Sequence, residues 1–123
     1  MVYVVLYTPG PNWLPGQGVY NQPLEEHGHY MQRLYDQGKL LLGGPFIDGS
    51  GGMAVIEVAG EAEAQRAVAD DPAVRDGIFS ATIHPWHRVF DRSAGRSLTT
   101  ADGERWEPQA PRPGTCSAGA PEA

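Results

Sequence analysis

Short apolar runs alternate with two stretches of helical periodicity over the first 90 residues of the chain. Four of these runs are rich in β-branched, aromatic or other large apolar residues and predict strands, at residues 2–7, 39–46, 53–58 and 79–90. Pro85 interrupts the last of them. The segment Asp48-Gly49-Ser50-Gly51-Gly52 is typical of a turn, so the second and third runs are expected to form a hairpin.

Helical patterns fill the two remaining gaps between the strands. The first helix is predicted to begin near Pro23 with Asn21 as its N-cap, and to end before Gly38. The second covers residues 60–70, and Asp71-Pro72 ends it because the residue before a proline is pushed out of the α region. The order βαββαβ predicts a ferredoxin-like α+β fold, with both helices on one face of a four-stranded antiparallel sheet.

The first two strands are apolar at nearly every position, whereas a sheet with one wet face alternates apolar and polar residues. Both faces of this sheet are therefore expected to be covered, and the two helices can cover only one. A second copy of the sheet would cover the other, which predicts a homodimer packed sheet to sheet. A fold-back of the C-terminal segment is the alternative cover, but its composition suits that role poorly.

Two segments lie outside this pattern. The loop at residues 8–22 is rich in proline and glycine, and loops of about 15 residues are often functional or mobile. It holds Trp13 and Tyr20, which could shield a pocket. Residues 91–123 are rich in Pro, Gly, Ala and Ser and lack periodicity, which predicts a partly flexible tail with Trp106 as its one large anchor. The domain itself is therefore expected to span residues 1–90.

Composition narrows the classes of partner. A chain of 123 residues fits one domain, and its net charge of −6 without a basic run argues against nucleic acid. No apolar stretch reaches the roughly 20 residues that a membrane span needs. Cys116 is the only cysteine, so an intrachain disulfide is impossible, which suits a cytoplasmic protein.

The candidate chemistry lies on the inward faces of the two helices. On a helical wheel, His27 falls on the apolar arc with Leu24 and Met31, whereas His29 falls among polar residues. Asp71 continues the small-residue packing face of the second helix, and Asp70 points elsewhere. His27 and Asp71 could therefore meet. A carboxylate beside an imidazole fixes its tautomer and raises its basicity, as a general base requires.

A purely structural role stays open for both His27 and Asp71. A single inward histidine is often a hydrogen-bonded structural residue, and Asp71 could be only a cap before Pro72. A metal site is not expected, because His84 and His87 are three apart on a strand and point to opposite faces. His84 and Trp86 could join a pocket if their strand face looks toward the helices. Gly44 and Pro45 could lie close to a ligand because glycine admits close approach.

Two segments of the chain resemble a known family. Residues 27–45 (HGHYMQRLYDQGKLLLGGP) look like the YciI-like (YCII-related) signature, in which a histidine stands eleven residues before a glycine and a hydrophobic strand ends in Gly-Pro. That spacing selects His27 relative to Gly38. Residues 67–79 resemble the family's Asp-Pro segment and select Asp71. The resemblance covers about residues 2–90 and implies a dimeric α+β barrel protein with a histidine–aspartate active-site pair.

The function expected from these residues is a cofactor-free acid–base enzyme of lyase, isomerase or cyclase type, acting on a small, partly apolar organic molecule. His27 would remove or relay a proton, and Asp71 would orient the His27 ring. The residues expected to contact the substrate are Trp13, Tyr20, Met31, Gly44, Pro45, His84 and Trp86. The alternatives are a metabolite-binding or accessory protein without turnover, a cofactor-free oxygenase, and a purely structural dimer.

Overall fold

The computed structural model describes residues 1–98, and its elements follow the predicted βαββαβ order. The strands are β1 (Val2–Pro9), β2 (Leu40–Pro45), β3 (Gly52–Glu57) and β4 (Phe79–Pro85). The helices are α1 (Glu25–Asp36), α2 (Glu61–Ala69) and the short α3 (Pro72–Arg75), and 3₁₀ turns occur at Val19–Asn21 and Arg92–Ala94. Trp106 and Cys116 lie outside the described residues.

The four strands form one sheet in the order β2-β3-β1-β4, and every neighbouring pair is antiparallel. The central strand β1 pairs Tyr3 with Ile56 and Val5 with Ala54 on one side, and Val5 with Ile83 on the other. The fold is therefore the ferredoxin-like α+β arrangement that the sequence predicted.

Burial alternates along β1 although its residues are almost all apolar. Tyr3, Val5 and Tyr7 are buried on the helix side, whereas Val4 and Leu6 are only half-buried on the other face. The buried set continues across the sheet through Ala54, Ile56 and Ile83 into the main core. Burial of each large apolar side chain contributes about 1.5–3 kcal/mol, so this layer fixes which face of the sheet carries the helices.

Helix α1 begins later than the sequence suggested. Leu24 occupies its N-cap position, and Asn21 instead ends the 3₁₀ turn before it. The prediction of Asn21 as N-cap was wrong because Pro23 holds the preceding Gln22 in an extended conformation (φ −87°, ψ 155°), which separates Asn21 from the helix. The end was predicted correctly, since Gly38 has a φ of +79° just beyond the helix.

Strand β4 ends at Pro85 and does not reach Phe90 as predicted. Proline carries no amide hydrogen for the ladder, and the chain leaves the sheet after one further bond from the Trp86 amide to the Val2 carbonyl (2.9 Å). Residues 91–96, the start of the predicted tail, form a small turn closed by an Asp91–Arg96 bridge.

Candidate active site

His27 and Asp71 meet between α1 and the segment that follows α2. The His27 Nδ1 lies 2.7 Å from Asp71 Oδ2, and the second oxygen, Oδ1, accepts the Ala73 amide at 2.9 Å. Asp71 is the N-cap of α3, which holds its carboxylate in place. Its side chain is 1% exposed, whereas that of His27 is 17% exposed. The histidine is thus the member of the pair that a ligand can reach.

This geometry decides which ring nitrogen is available for chemistry. A carboxylate only accepts hydrogen bonds, so the proton between the two groups belongs to Nδ1 of His27. The neutral ring then carries its acceptor lone pair on Nε2. A histidine oriented in this way by a carboxylate is a suitable general base.

Two aromatic rings hold the imidazole from the sheet side. Tyr7 of β1 and Phe79 of β4 both meet the His27 ring edge to face, with centroid distances of 5.5 and 5.3 Å and interplanar angles of 76°. Tyr7 and Phe79 also contact each other, with centroids 5.0 Å apart. The hydrogen bond to Asp71 and these contacts together restrict the rotation of the imidazole.

A second contact sets the spacing of the two helices. The Tyr30 hydroxyl of α1 donates to the Ala67 carbonyl of α2 at 2.6 Å. Partial burial and the nearby charges of Asp70 and Asp71 raise the pKa of Tyr30, so it stays a neutral donor at ordinary pH. This bond holds α1 beside the end of α2, where Asp71 follows.

His27 borders a cavity of about 410 Å³ between α1, the 8–22 loop and the β2–β3 hairpin. Its apolar wall includes Val19, Leu24, Met31, Leu40 and Phe79. Along β2 and β3 the wall includes Gly43, Gly44, Pro45 and Gly52. Four of the residues predicted to contact substrate therefore lie in the lining, namely Tyr20, Met31, Gly44 and Pro45. Tyr20 is 67% exposed and stands at the mouth.

Trp13, His84 and Trp86 lie away from this lining. The Trp13 ring packs against Phe79 at a centroid distance of 6.0 Å, and its Nε1 donates to the Gln17 carbonyl. His84 pairs with Val4 on the sheet face that points away from the helices, and its Nε2 lies 3.2 Å from Thr82 Oγ1. His84 and Trp86 were expected to join the pocket only if their strand face looked toward the helices, and the face that carries His84 looks away from them.

The 8–22 loop is pinned and forms part of the cavity wall. The buried Gln22 side chain accepts from the Leu14 amide (2.7 Å) and donates to the carbonyls of Leu14 (3.1 Å) and Gln17 (3.2 Å). The Val19 amide donates to Gly49 of the β2–β3 turn at 3.0 Å. These bonds place the buried Val19 against the cavity, a role that the sequence pattern did not reveal.

A family model for the YCII-related domain matches residues 1–87. The chain belongs to the YCII-related family. No curated protein matches it by sequence.

One similar solved structure is 5-chloro-2-hydroxyhydroquinone dehydrochlorinase (TftG) from Burkholderia phenoliruptrix AC1100, in complex with 2,5-dihydroxybenzoquinone. It has a TM-score of 0.54 and 17% sequence identity, and the match covers 71% of this chain and 94% of that chain. At this identity the likeness establishes a shared fold.

Within residues 1–98, no group of three or more His, Cys, Asp or Glu side chains is placed to hold a metal ion. His29 lies on the polar side of α1 as the wheel indicated, 4.0 Å from Glu26 and largely exposed. No helix among these residues is long and apolar enough to cross a membrane.

Proposed function

We propose that this YCII-related chain is a cofactor-free enzyme of lyase type that removes a proton from a small, partly apolar organic molecule. His27 is the base, and Asp71 is the positioning residue that fixes its tautomer. The observation that carries the proposal is the 2.7 Å bond between His27 Nδ1 and Asp71, beside a cavity that His27 lines.

The cavity suits a ligand of this class. A volume of about 410 Å³ falls in the range of roughly 300–1,000 Å³ that small-molecule sites occupy. Its walls are mainly apolar, with few polar groups, which favours a molecule with an apolar body and a small number of polar substituents. Burial beside such walls also limits the access of water to the base.

The reaction type follows from what a lone base can do. In a dehydrochlorination, which the name of the similar solved structure states for that protein, the substrate loses hydrogen chloride: chloride leaves with its bonding electrons and a base accepts the proton that is lost with it. The step has no net change in oxidation state and requires no external oxidant. His27 and Asp71 can supply the base for such an elimination.

The first test is chloride release from 5-chloro-2-hydroxyhydroquinone under nitrogen. We expect turnover by the wild-type chain and a loss of about 10²- to 10⁴-fold in kcat for Asp71→Asn, the usual contribution of a general base. An asparagine can present its amide NH₂ to Nδ1, which moves the ring proton to Nε2 and removes the base. Asp70→Asn is the matched control, because Asp70 is the exposed neighbour in sequence.

A second readout separates positioning from folding. The ¹⁵N shifts of His27 are expected to report a proton on Nδ1 in the wild type and on Nε2 in Asp71→Asn. Asp70→Asn should leave both the tautomer and the rate unchanged. Ligand binding without chloride release by the wild-type chain would favour the binding-protein alternative, and equal rates for all three chains would refute the role of Asp71.

We further propose that the chain works as a homodimer joined through the sheet face opposite the helices. The cross-strand row Val4, Val55 and Leu42 lies on that face, with Leu6 and Met53 as the neighbouring row. Leu42 is 69% exposed and Met53 40% exposed in the single chain, Val4 and Leu6 are half-buried, and Val55 is already buried at 2% exposure. An apolar sheet face of this kind is typical of an interface between protein chains.

Leu42→Glu is expected to convert the dimer to a monomer, because a charge would be buried in the apolar interface without a partner. Light scattering coupled to size exclusion measures the mass directly. Ile47→Glu is the control, because it adds the same charge at a position in the β2–β3 turn that is 94% exposed. A wild-type chain that elutes as a monomer at high micromolar concentration would contradict the dimer.

A further inference from the structure

Tyr7 is a buried tyrosine that borders the cavity and that the proposed chemistry does not use. Its side chain belongs to the helix-facing side of β1, is 5% exposed and lines the cavity beside His27. Within residues 1–98, its hydroxyl has one hydrogen-bond partner, the Met31 Sδ at 3.9 Å. A thioether is a weak acceptor.

Such a hydroxyl is unusual in a folded protein. Buried polar groups almost always have a strong hydrogen-bond partner, and an exception requires an explanation. Met31 also lines the cavity, so the Tyr7 hydroxyl is located where a ligand would sit. An oxygen atom of a bound molecule would satisfy the donor that the thioether satisfies poorly.

The protonation state of Tyr7 suits a donor. Burial and the charge of Asp71 raise the pKa of Tyr7 well above its usual value. The phenol therefore keeps its proton throughout the working range of pH, and its ring lies 5.5 Å from that of His27.

We propose that Tyr7 is a ligand-binding residue whose hydroxyl donates a hydrogen bond to a carbonyl or hydroxyl oxygen of a ring-shaped ligand held against His27. The inference rests on the proposed function, since it assumes that the same cavity binds the substrate. It narrows the substrate class to molecules that carry an oxygen on the ring held against His27, because a purely apolar molecule would leave the Tyr7 hydroxyl unsatisfied.

A buried hydroxyl donor of this kind discriminates between ligands, because a ligand without a matching acceptor leaves the hydroxyl without a hydrogen bond. A site built to hydrogen-bond an oxygen rejects an analogue that lacks it, because the buried group then loses its only strong partner. Tyr7 would thereby also orient the ring, so that the hydrogen to be removed faces Nε2 of His27. A neutral hydrogen bond to a tyrosine contributes about 1–1.5 kcal/mol, which corresponds to roughly tenfold in affinity.

The test compares two probes, 2,5-dihydroxybenzoquinone and p-xylene, whose rings are similar in size but only one of which carries oxygen. Binding to the full chain is measured by NMR titration for the wild type, Tyr7→Phe and Tyr3→Phe. We expect Tyr7→Phe to weaken the binding of 2,5-dihydroxybenzoquinone about tenfold and to change that of p-xylene less than about twofold. Tyr3→Phe is the matched control, because Tyr3 is buried on the same face of β1 but lies outside the cavity lining.

Each other result overturns the inference. Equal losses for both probes would mean that Tyr7 only packs, unchanged affinities would mean that its hydroxyl does not bind ligand, and a wild type that binds neither probe would exclude this ligand class. Chloride release tests the proposed function separately. If Tyr7→Phe weakens binding tenfold but the wild type releases no chloride, the lyase function is refuted and the binding role of Tyr7 stands. If the wild type releases chloride but Tyr7→Phe binds both probes as the wild type does, the lyase function stands and the binding role of Tyr7 is refuted.

Discussion

Replacement of His27 by glutamine is expected to lower kcat/KM for dehydrochlorination by about 10²- to 10⁴-fold, the usual contribution of a general base. Glutamine can still hydrogen-bond to Asp71 and fill much of the same space, but its amide cannot take a proton near neutral pH. The loss should fall mainly on kcat, because the apolar wall that binds the ligand is unchanged. Initial rates of chloride release over a range of substrate concentrations measure both parameters.

His29→Gln is the control for this experiment. His29 lies two residues further along α1, its side chain is 64% exposed, and its nearest charged partner is Glu26. The same substitution there should leave kcat/KM within about twofold, since exposed changes away from a site have small effects. Full activity of folded His27→Gln, with its fold checked by circular dichroism, would remove His27 from the mechanism.

The inward placement of His27 and Asp71 was predictable, but for Asp71 by a route that differs from the real one. The wheel treated Asp71 as the continuation of α2, whereas the helix ends at Ala69 and Asp71 caps α3. Its carboxylate still points inward because Oδ1 bonds the Ala73 amide and Oδ2 bonds His27. His27 was easier, since it lies inside a regular helix where the period of 3.6 residues fixes its direction.

The residues that surround His27 were harder to foresee, for physical reasons. Tyr7 and Phe79 lie on β1 and β4, and a strand with apolar residues on both faces does not reveal which face meets the helices. The position of His84 depended on the same choice. Trp13 and Gln22 lie in a loop whose shape depends on individual hydrogen bonds, which leave no periodic trace in the sequence. The alternation of Tyr3, Val5 and Tyr7 places these three residues on one face, but it identifies Tyr7 as a site residue only once the helix-facing side of β1 is known.

Gly51→Ala is expected to cost about 3 kcal/mol or more in the free energy of unfolding. Gly51 has a φ of +153°, where a side chain is strained, and an added Cβ would lie 2.1 Å from the Tyr7 carbonyl oxygen. Strain of this kind alone costs about 1–3 kcal/mol, and the clash with a central strand adds to it. Urea unfolding followed by circular dichroism measures the difference.

Gly44→Ala is the control in the same hairpin, because its added Cβ would meet nothing within 4 Å and its backbone is ordinary strand. Its stability should stay within about 1 kcal/mol of the wild type. The clash in Gly51→Ala can be relieved only if the hairpin or β1 moves, and Gly52 of that hairpin and Tyr7 of β1 both line the cavity. Any folded fraction of Gly51→Ala should therefore also bind 2,5-dihydroxybenzoquinone more weakly. An unchanged urea midpoint for Gly51→Ala would contradict the stability prediction, because it would mean that the turn moves to accommodate the added Cβ at little cost.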